Sequence, residues 1–175
     1  GAALSATDAL MQTLRGVLPG ENGLLPEALR AGLVPPSEEE ANGWKELDPG
    51  DRVLGEGGAR PADPSAADEF YVRTWAEPAV TVNGFVGGEP LLQKTVLPVF
   101  AEANVSIRLA PGQHPDEIAP VVDRLLRESA PDGADVEVER WSSAAPGLIP
   151  PEAPAIQLGL DVFERVVGAR PLLIR

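Results

Sequence analysis

Side chains that could do chemistry are scarce in this chain. Its 175 residues hold one histidine, His114, and no cysteine. A metal-centred hydrolase needs several imidazole and carboxylate ligands converging on its ions, which one histidine cannot supply, and without cysteine there are neither thiolate metal sites nor disulfides. The run Gln113-His114-Pro115-Asp116-Glu117 reads instead as a helix start, with proline suited to the first turn and two acids complementing the helix dipole. The chain as it stands is not expected to be a working metalloenzyme. Gly-rich phosphate loops, His-Glu-x-x-His pairs and nucleophile elbows do not occur, and Gly84-Phe85-Val86-Gly87-Gly88 is too short to cradle phosphate and reads as a turn. Arg108, on the strand pattern alone, reads as a surface cation more readily than as a site residue. It falls on the polar side of an alternating run, and a guanidinium there can pair both oxygens of a carboxylate while staying charged. The more ordinary reading is a surface ion pair with Glu102 or another neighbour.

The elements that would position these residues follow from periodicity. Leu10, Met11, Leu14, Val17 and Leu18 form one apolar stripe, predicting a helix that Pro19-Gly20 stops, so residues 1–18 form the first unit. Residues 19–77 are dense in Pro, Gly and acids and read as an insertion. Within it, Ser37-Glu38-Glu39-Glu40 fits a capping box and a short helix to about Leu47; Asp48-Pro49-Gly50 ends that helix, and residues 55–64 read as a loop. A second short helix over residues 65–75 would bury Phe70, Tyr71 and Trp75. A disordered linker is the rival reading, but the aromatic residues argue for packing. Residues 78–145 carry the sheet signals. A β-rich run at 79–86 is broken by Asn83-Gly84. Residues 95–109 alternate, with Val99, Ala101, Ala103, Val105, Ile107 and Leu109 on one face and Glu102, Asn104, Ser106 and Arg108 on the other. Ile118, Val121, Val122, Leu125 and Leu126 predict a second amphipathic helix, and 135–141 alternates again as a third strand. A Pro-rich connection then leads to a last helix closed by Gly168, within a terminal unit of residues 146–175. The class is α+β: an antiparallel sheet with helices on one face, ferredoxin-like if one further strand precedes the first helix. That strand is missing from this sequence.

Charge narrows the partners. Fourteen basic residues against 27 acidic ones give a net charge of -13, which supplies no phosphate-binding patch and argues against nucleic acid. The sequence contains neither an apolar run near the ~20 residues of a membrane span nor a signal-peptide pattern at its start, so no membrane partner is expected. A cytoplasmic location is the default expectation.

Trp75-Ala76-Glu77-Pro78, Val82 through Gly88, Lys94-Thr95-Val96-Leu97-Pro98 and Ser106 through Gln113, in that order and spacing, resemble the lid, or dimerisation, domain of M20 family metallopeptidases, closest to the carnosinase-like dipeptidases. Leu33-Val34-Pro35-Pro36-Ser37-Glu38-Glu39-Glu40 is similar to their insertion, and Phe163-Glu164-Arg165-Val166-Val167-Gly168 through Ile174-Arg175 is similar to the helix and strand that re-enter the catalytic domain. The resemblance implies a homodimer, a peptide or amide substrate, and two zinc ions in the parent enzyme, with the missing catalytic domain of the same polypeptide holding the metal ligands and none of them in this chain. It places Arg108 where the family binds the substrate's terminal carboxylate. It places Thr95 where a Thr or Asn is presented to substrate across the dimer, a hydroxyl that can donate to an oxyanion. Asn83 and Gly84 fall where the family has a polar residue followed by Gly, and a tight backbone bend is as good a reading as substrate contact. Two further classes stay open from the residues alone: a free-standing ferredoxin-like small-ligand-binding or regulatory module, and a purely structural dimer domain.

Overall fold

The computed structural model describes residues 2–89, 91 and 95–175; Lys94, part of one motif quoted above, lies outside them. Ser5 caps the first helix, α1 (Ala6–Leu14), its Oγ accepting the Asp8 N–H. The apolar stripe predicts a helix to Leu18, but the helix ends at Leu14 and residues 15–18 continue as turns. The cause lies in tertiary packing. A Cβ at Gly16 would strike Ser129 and the Leu125 carbonyl, so the backbone lies directly on the second long helix, α5 (Pro115–Ser129). The bend sends Val17 into the core at 0% exposure and leaves Met11 half exposed.

Residues 19–77 fold rather than wander. A 3-10 turn at Glu27–Leu29 puts Leu29 in the core beside Val17, Leu25 and Ile118. The capping box forms as the spacing predicts: Ser37 Oγ accepts the Glu40 N–H and Glu40 accepts the Ser37 N–H, opening α2 (Glu38–Gly43). A 3-10 turn, Trp44–Glu46, follows. Between the predicted stop and the predicted loop a further helix forms, α3 (Gly50–Glu56), which takes the first two residues of the loop and leaves residues 57–64 non-helical. Its first residue touches the Phe70 side chain and the Ala67 carbonyl so closely that a Cβ has no room. The next helix, α4 (Phe70–Trp75), begins later than predicted, after turns over residues 64–69. Phe70, Tyr71 and Trp75 are half-buried rather than buried. They form a chain of aromatic contacts, Phe70 to Tyr71 to Trp75, that ends on Trp44, which is 4% exposed and meets Trp75 edge-on at 5.4 Å.

The hairpin follows. β1 (Ala79–Gly87) pairs antiparallel with β2 (Ala101–Arg108) from Ala79 opposite Arg108 to Gly87 opposite Ala101. The register shifts between Val82 and Gly84, leaving Asn83 as a bulge where the strand signal is broken in the sequence. Along β2, Ala101, Ala103, Val105 and Ile107 are half-buried and Glu102, Asn104, Ser106 and Arg108 are exposed, the predicted alternation. The predicted strand is shortened at its start: Val99 is 98% exposed, and no ladder reaches it. Val80 and Leu109 pack against the same buried cluster as Val121, Val122, Leu125 and Leu126 of α5, and α1 lies against both α5 and β2, so α1 and α5 cover one face.

The third strand predicted at 135–141 does not form; the described residues make a two-stranded sheet. The segment runs back along α5 instead. Arg127 donates to the Val136 carbonyl, and Arg140 pairs with Asp116 at 3.0 Å. A strand needs a neighbour for its N–H and C=O groups, and none of the described residues lies in ladder register with this one. The last helix, α6 (Pro154–Val167), ends on Gly168 at φ 81, the left-handed cap glycine tolerates.

Two long-range contacts fix the insertion. Gln113, 3% exposed, accepts the Ala110 N–H and donates to the Leu29 and Ala31 carbonyls. Arg175, its side chain 6% exposed, donates to both Glu40 oxygens and to the Val34 and Pro35 carbonyls. The hydrogen bonds from Arg175, outweighing burial and aided by Ser37, lower the Glu40 pKa from 4.5 to about 2. Replacing Gln113 by Leu should cost about 2–3 kcal/mol in urea unfolding, because two carbonyls and an N–H lose their buried partner. Glu40 has a folded pKa below its unfolded value, so its contribution is complete above about pH 4.5 and is lost as pH falls toward 2. Thermal unfolding followed from pH 6 to pH 2.5 should show a smaller acid loss for Glu40→Gln than for the unaltered chain.

Candidate functional site

The hairpin has one covered face and one open face, and the open face carries Arg108. Register sets its rows: Arg108 beside Ala79, Ser106 beside Thr81, Asn104 beside Gly84, and Glu102 beside Val86. Arg108, Ser106, Thr81, Asn104 and Glu102 are all exposed. The surface is polar and flat where Ala79 and Gly84 face the longer side chains.

Arg108 has no ion pair or side-chain hydrogen bond among the described residues. Glu102, the acid weighed as its partner, lies six residues along the same strand, about 20 Å away at the usual rise per residue, and cannot quench it. Glu77, two residues before Ala79, is bound to Arg30 through a two-pronged pair at 2.6 and 2.7 Å; the hydrogen bonds that Arg30 donates to Glu77 raise the Arg30 pKa. Arg73 is likewise committed to Asp63 and Glu69, and its hydrogen bond holds the Asp63 carboxyl below its usual range. Glu77, the acid just before β1, is thus neutralised by Arg30.

Thr95 is exposed and sits in the connection between β1 and β2, at the opposite end of the hairpin from Arg108. The eight residues of β2 alone span about 23 Å, so the structure does not bring Thr95 and Arg108 together within one chain. Asn83 is exposed on the bulge and Gly84 is half-buried opposite Asn104. Gly84 does not have a positive φ; a Cβ there would sit 3.3 Å from Asn104 Nδ2, so close side-chain approach accounts for the glycine. Sequence reasoning did not single out Ser106, Thr81 and Asn104, though strand alternation with Arg108 was a signal for two of them.

Around the Thr95 end the surface is apolar. Val86, Leu91, Val96, Val99 and Phe100 are all more than 60% exposed, an unusual concentration of bare hydrophobic residues at one end of a hairpin. A second bare stripe runs along α6, where Leu158, Val162, Phe163, Val166 and Val167 stand out from the body.

Among the described residues, no three His, Asp or Glu side chains come together in a way that could hold a metal ion. His114 is exposed at the N-cap of α5, where the sequence placed a helix start. The donor set does not fit a zinc centre, and no reaction step is assigned to zinc on these residues. No helix of the described residues is long and apolar enough to cross a membrane.

Comparison with known proteins gives this geometry a setting. The profile of the peptidase dimerisation domain of M20 proteins matches residues 6–134. A cysteinylglycine-S-conjugate dipeptidase from Corynebacterium striatum is 32% identical over 107 residues, 61% of this chain and 24% of that protein. An M20 family metallo-carboxypeptidase from Sulfolobus solfataricus superposes with a TM-score of 0.80 at 18% identity, over 98% of this chain and 39% of that one. Human carnosine dipeptidase 1 superposes with a TM-score of 0.68 at 20% identity, over 100% of this chain and 38% of that one. A di-peptidase from Saccharomyces cerevisiae gives 0.66 at 19% identity, with coverage of 100% and 38%. The chain therefore spans about a quarter of the curated relative and less than two fifths of each solved structure.

Proposed function

Because this chain belongs to the M20 peptidase dimerisation domain family, we propose that it is the lid and assembly domain of a zinc-dependent dipeptidase or related amide hydrolase, working in the cytoplasm. In this reading its open sheet face binds the carboxylate end of a peptide substrate. The observation that supports it best is Arg108: an exposed guanidinium on a rigid strand, without a carboxylate partner among the described residues, in a chain of net charge -13. A planar fork of donors held on a strand is suited to two-pronged carboxylate recognition. The two zinc ions would be held by the catalytic domain of the same polypeptide, on residues outside this chain.

The same proposal assigns Thr95 to the neighbouring subunit's site. A span of at least about 23 Å from Arg108 is too long for both to touch one dipeptide, so each serves a different site if two copies pair through the apolar hairpin end. A hydroxyl carried there can donate to an oxyanion as negative charge develops. Asn83 and Gly84 line the face between them as weaker contacts. The bare stripe of α6, within the terminal unit of residues 146–175, is read as the surface that packs on the catalytic domain; burying such a stripe is what an amphipathic helix requires.

In the full-length enzyme, Arg108→Lys and Arg108→Ala should each raise KM for a dipeptide and lower kcat/KM, the Ala variant by about 100-fold, as expected when two charge-assisted hydrogen bonds worth about 3 kcal/mol are lost. Unchanged kinetics in both variants would sink the carboxylate-clamp reading. For assembly, sedimentation velocity should show a dimer for the unaltered chain and a monomer for Val99→Glu combined with Phe100→Glu. A monomer in both cases removes the hairpin end as the subunit contact.

A further inference from the structure

We propose that the Thr81–Ser106 pair, flanked by Asn104, is a second binding position beside Arg108, made for the backbone amide of a carboxylate-ended peptide. The inference rests on the reading of Arg108 as a carboxylate clamp and extends it along the open sheet face.

The register carries the argument. Thr81 and Ser106 are directly opposite each other, and both are exposed on the face that bears Arg108. Directly opposed residues have Cβ atoms about 5 Å apart, so both hydroxyls can reach one small polar group between them. A hydroxyl donates and accepts, whereas a guanidinium only donates. The pair can therefore take a peptide N–H and offer a proton to a peptide carbonyl, the two functions of an amide and not those of a second carboxylate. Ser106 lies two residues from Arg108, about 7 Å along the strand, a gap that the reach of the arginine side chain and the last residue of a bound peptide span between them. Asn104 follows in the next row, over the side-chain-free surface of Gly84, and adds an amide donor and acceptor.

Charge fixes the direction. The anionic end belongs at Arg108, and the exposed acid at the far end of the row is Glu102, opposite Val86. A zwitterionic peptide lying on this face points its amino group along the strip away from Arg108 and toward Glu102. A simple carboxylate gains nothing from the strip, so the site separates peptides from small organic acids.

The test is a nitrogen-15 NMR titration of the 175-residue chain with acetate and, separately, with glycylglycine. Both ligands should shift the Arg108 signals, and glycylglycine alone should also shift those of Thr81 and Ser106. Combining Thr81→Val with Ser106→Ala keeps the shape of the strands and removes both hydroxyls. It should weaken glycylglycine by about tenfold, the loss expected for two neutral hydrogen bonds, and leave acetate unaffected. If both ligands shift Arg108 alone and the double variant binds glycylglycine as well as the unaltered chain does, the strip is overturned while the carboxylate clamp stands. If neither ligand shifts Arg108, clamp and strip fall together.

Discussion

The side chain of Gln113 is the point on which the arrangement of this domain turns. It is buried, and its amide joins three backbone groups from two stretches more than 80 residues apart. Ala110, Pro111 and Gly112 bring the chain from β2 into α5, and Val34 adds a backbone hydrogen bond to the Pro111 carbonyl at 2.7 Å. Gly112 has φ 92 and lies so close to the Gly32 carbonyl that a Cβ would collide with it. The turn after Arg108 is therefore held against the insertion by polar contacts in a place closed to water, where a lost partner is costly. Arg108 is five residues before Gln113, on the last rung of the ladder. Its position on the open face is set by that anchor as much as by the strand.

The hairpin itself is an economical platform. Two strands alone are marginal in water unless one face is covered, and here α1 and α5 supply the cover through Val80, Leu109 and the apolar stripe of α5. Covering one face leaves the other free for polar side chains in fixed rows. The absent third ladder shows the same rule in reverse. Residues 135–141 have a strand's alternation, yet they are held by side-chain contacts to Arg127 and Asp116 rather than by backbone pairing. Alternation describes which face a strand would bury, and only a neighbouring strand makes it one.

What was legible in the sequence was local. The Ser37–Glu40 capping box, the proline and acids opening α5, the alternation of β2, the break at Asn83-Gly84 and the left-handed Gly168 all depend on residues a few positions apart, and each is found where its pattern stands. What was not legible depended on distant residues. The end of α1 at Leu14 is decided by Gly16 meeting α5, and the start of α3 by Gly50 meeting Phe70 and the carbonyl of Ala67. Arg175 and Glu40, 135 residues apart, carry no mark of their pairing in either neighbourhood. For the candidate site, strand period put Arg108, Ser106 and Asn104 on one face. Placing Thr81 beside Ser106 required the register, which the bulge at Asn83 shifts by one residue and which composition does not reveal.

The distribution of arginines gives the open face its meaning. Among the described residues, Arg30, Arg52, Arg73, Arg124, Arg127, Arg140, Arg170 and Arg175 each hold at least one carboxylate. In a chain so rich in acids, pairing is the common outcome for a guanidinium, though Arg15, Arg60 and Arg165, like Arg108, hold no carboxylate among the described residues. Arg108 avoids it because strand geometry keeps Glu102 about 20 Å off and because Arg30 occupies Glu77. Arg52, Arg124 and Arg127 can find partners one helical turn away, a route the strand does not offer. On the proposed carboxylate-clamp reading, setting a cation on a strand, with Glu77 committed to Arg30, keeps a position open for a carboxylate in a protein whose overall charge repels carboxylates. The cost, on that reading, is slower encounter with anions, and the return would be selectivity for a ligand that can use the neutral rows beside the charge.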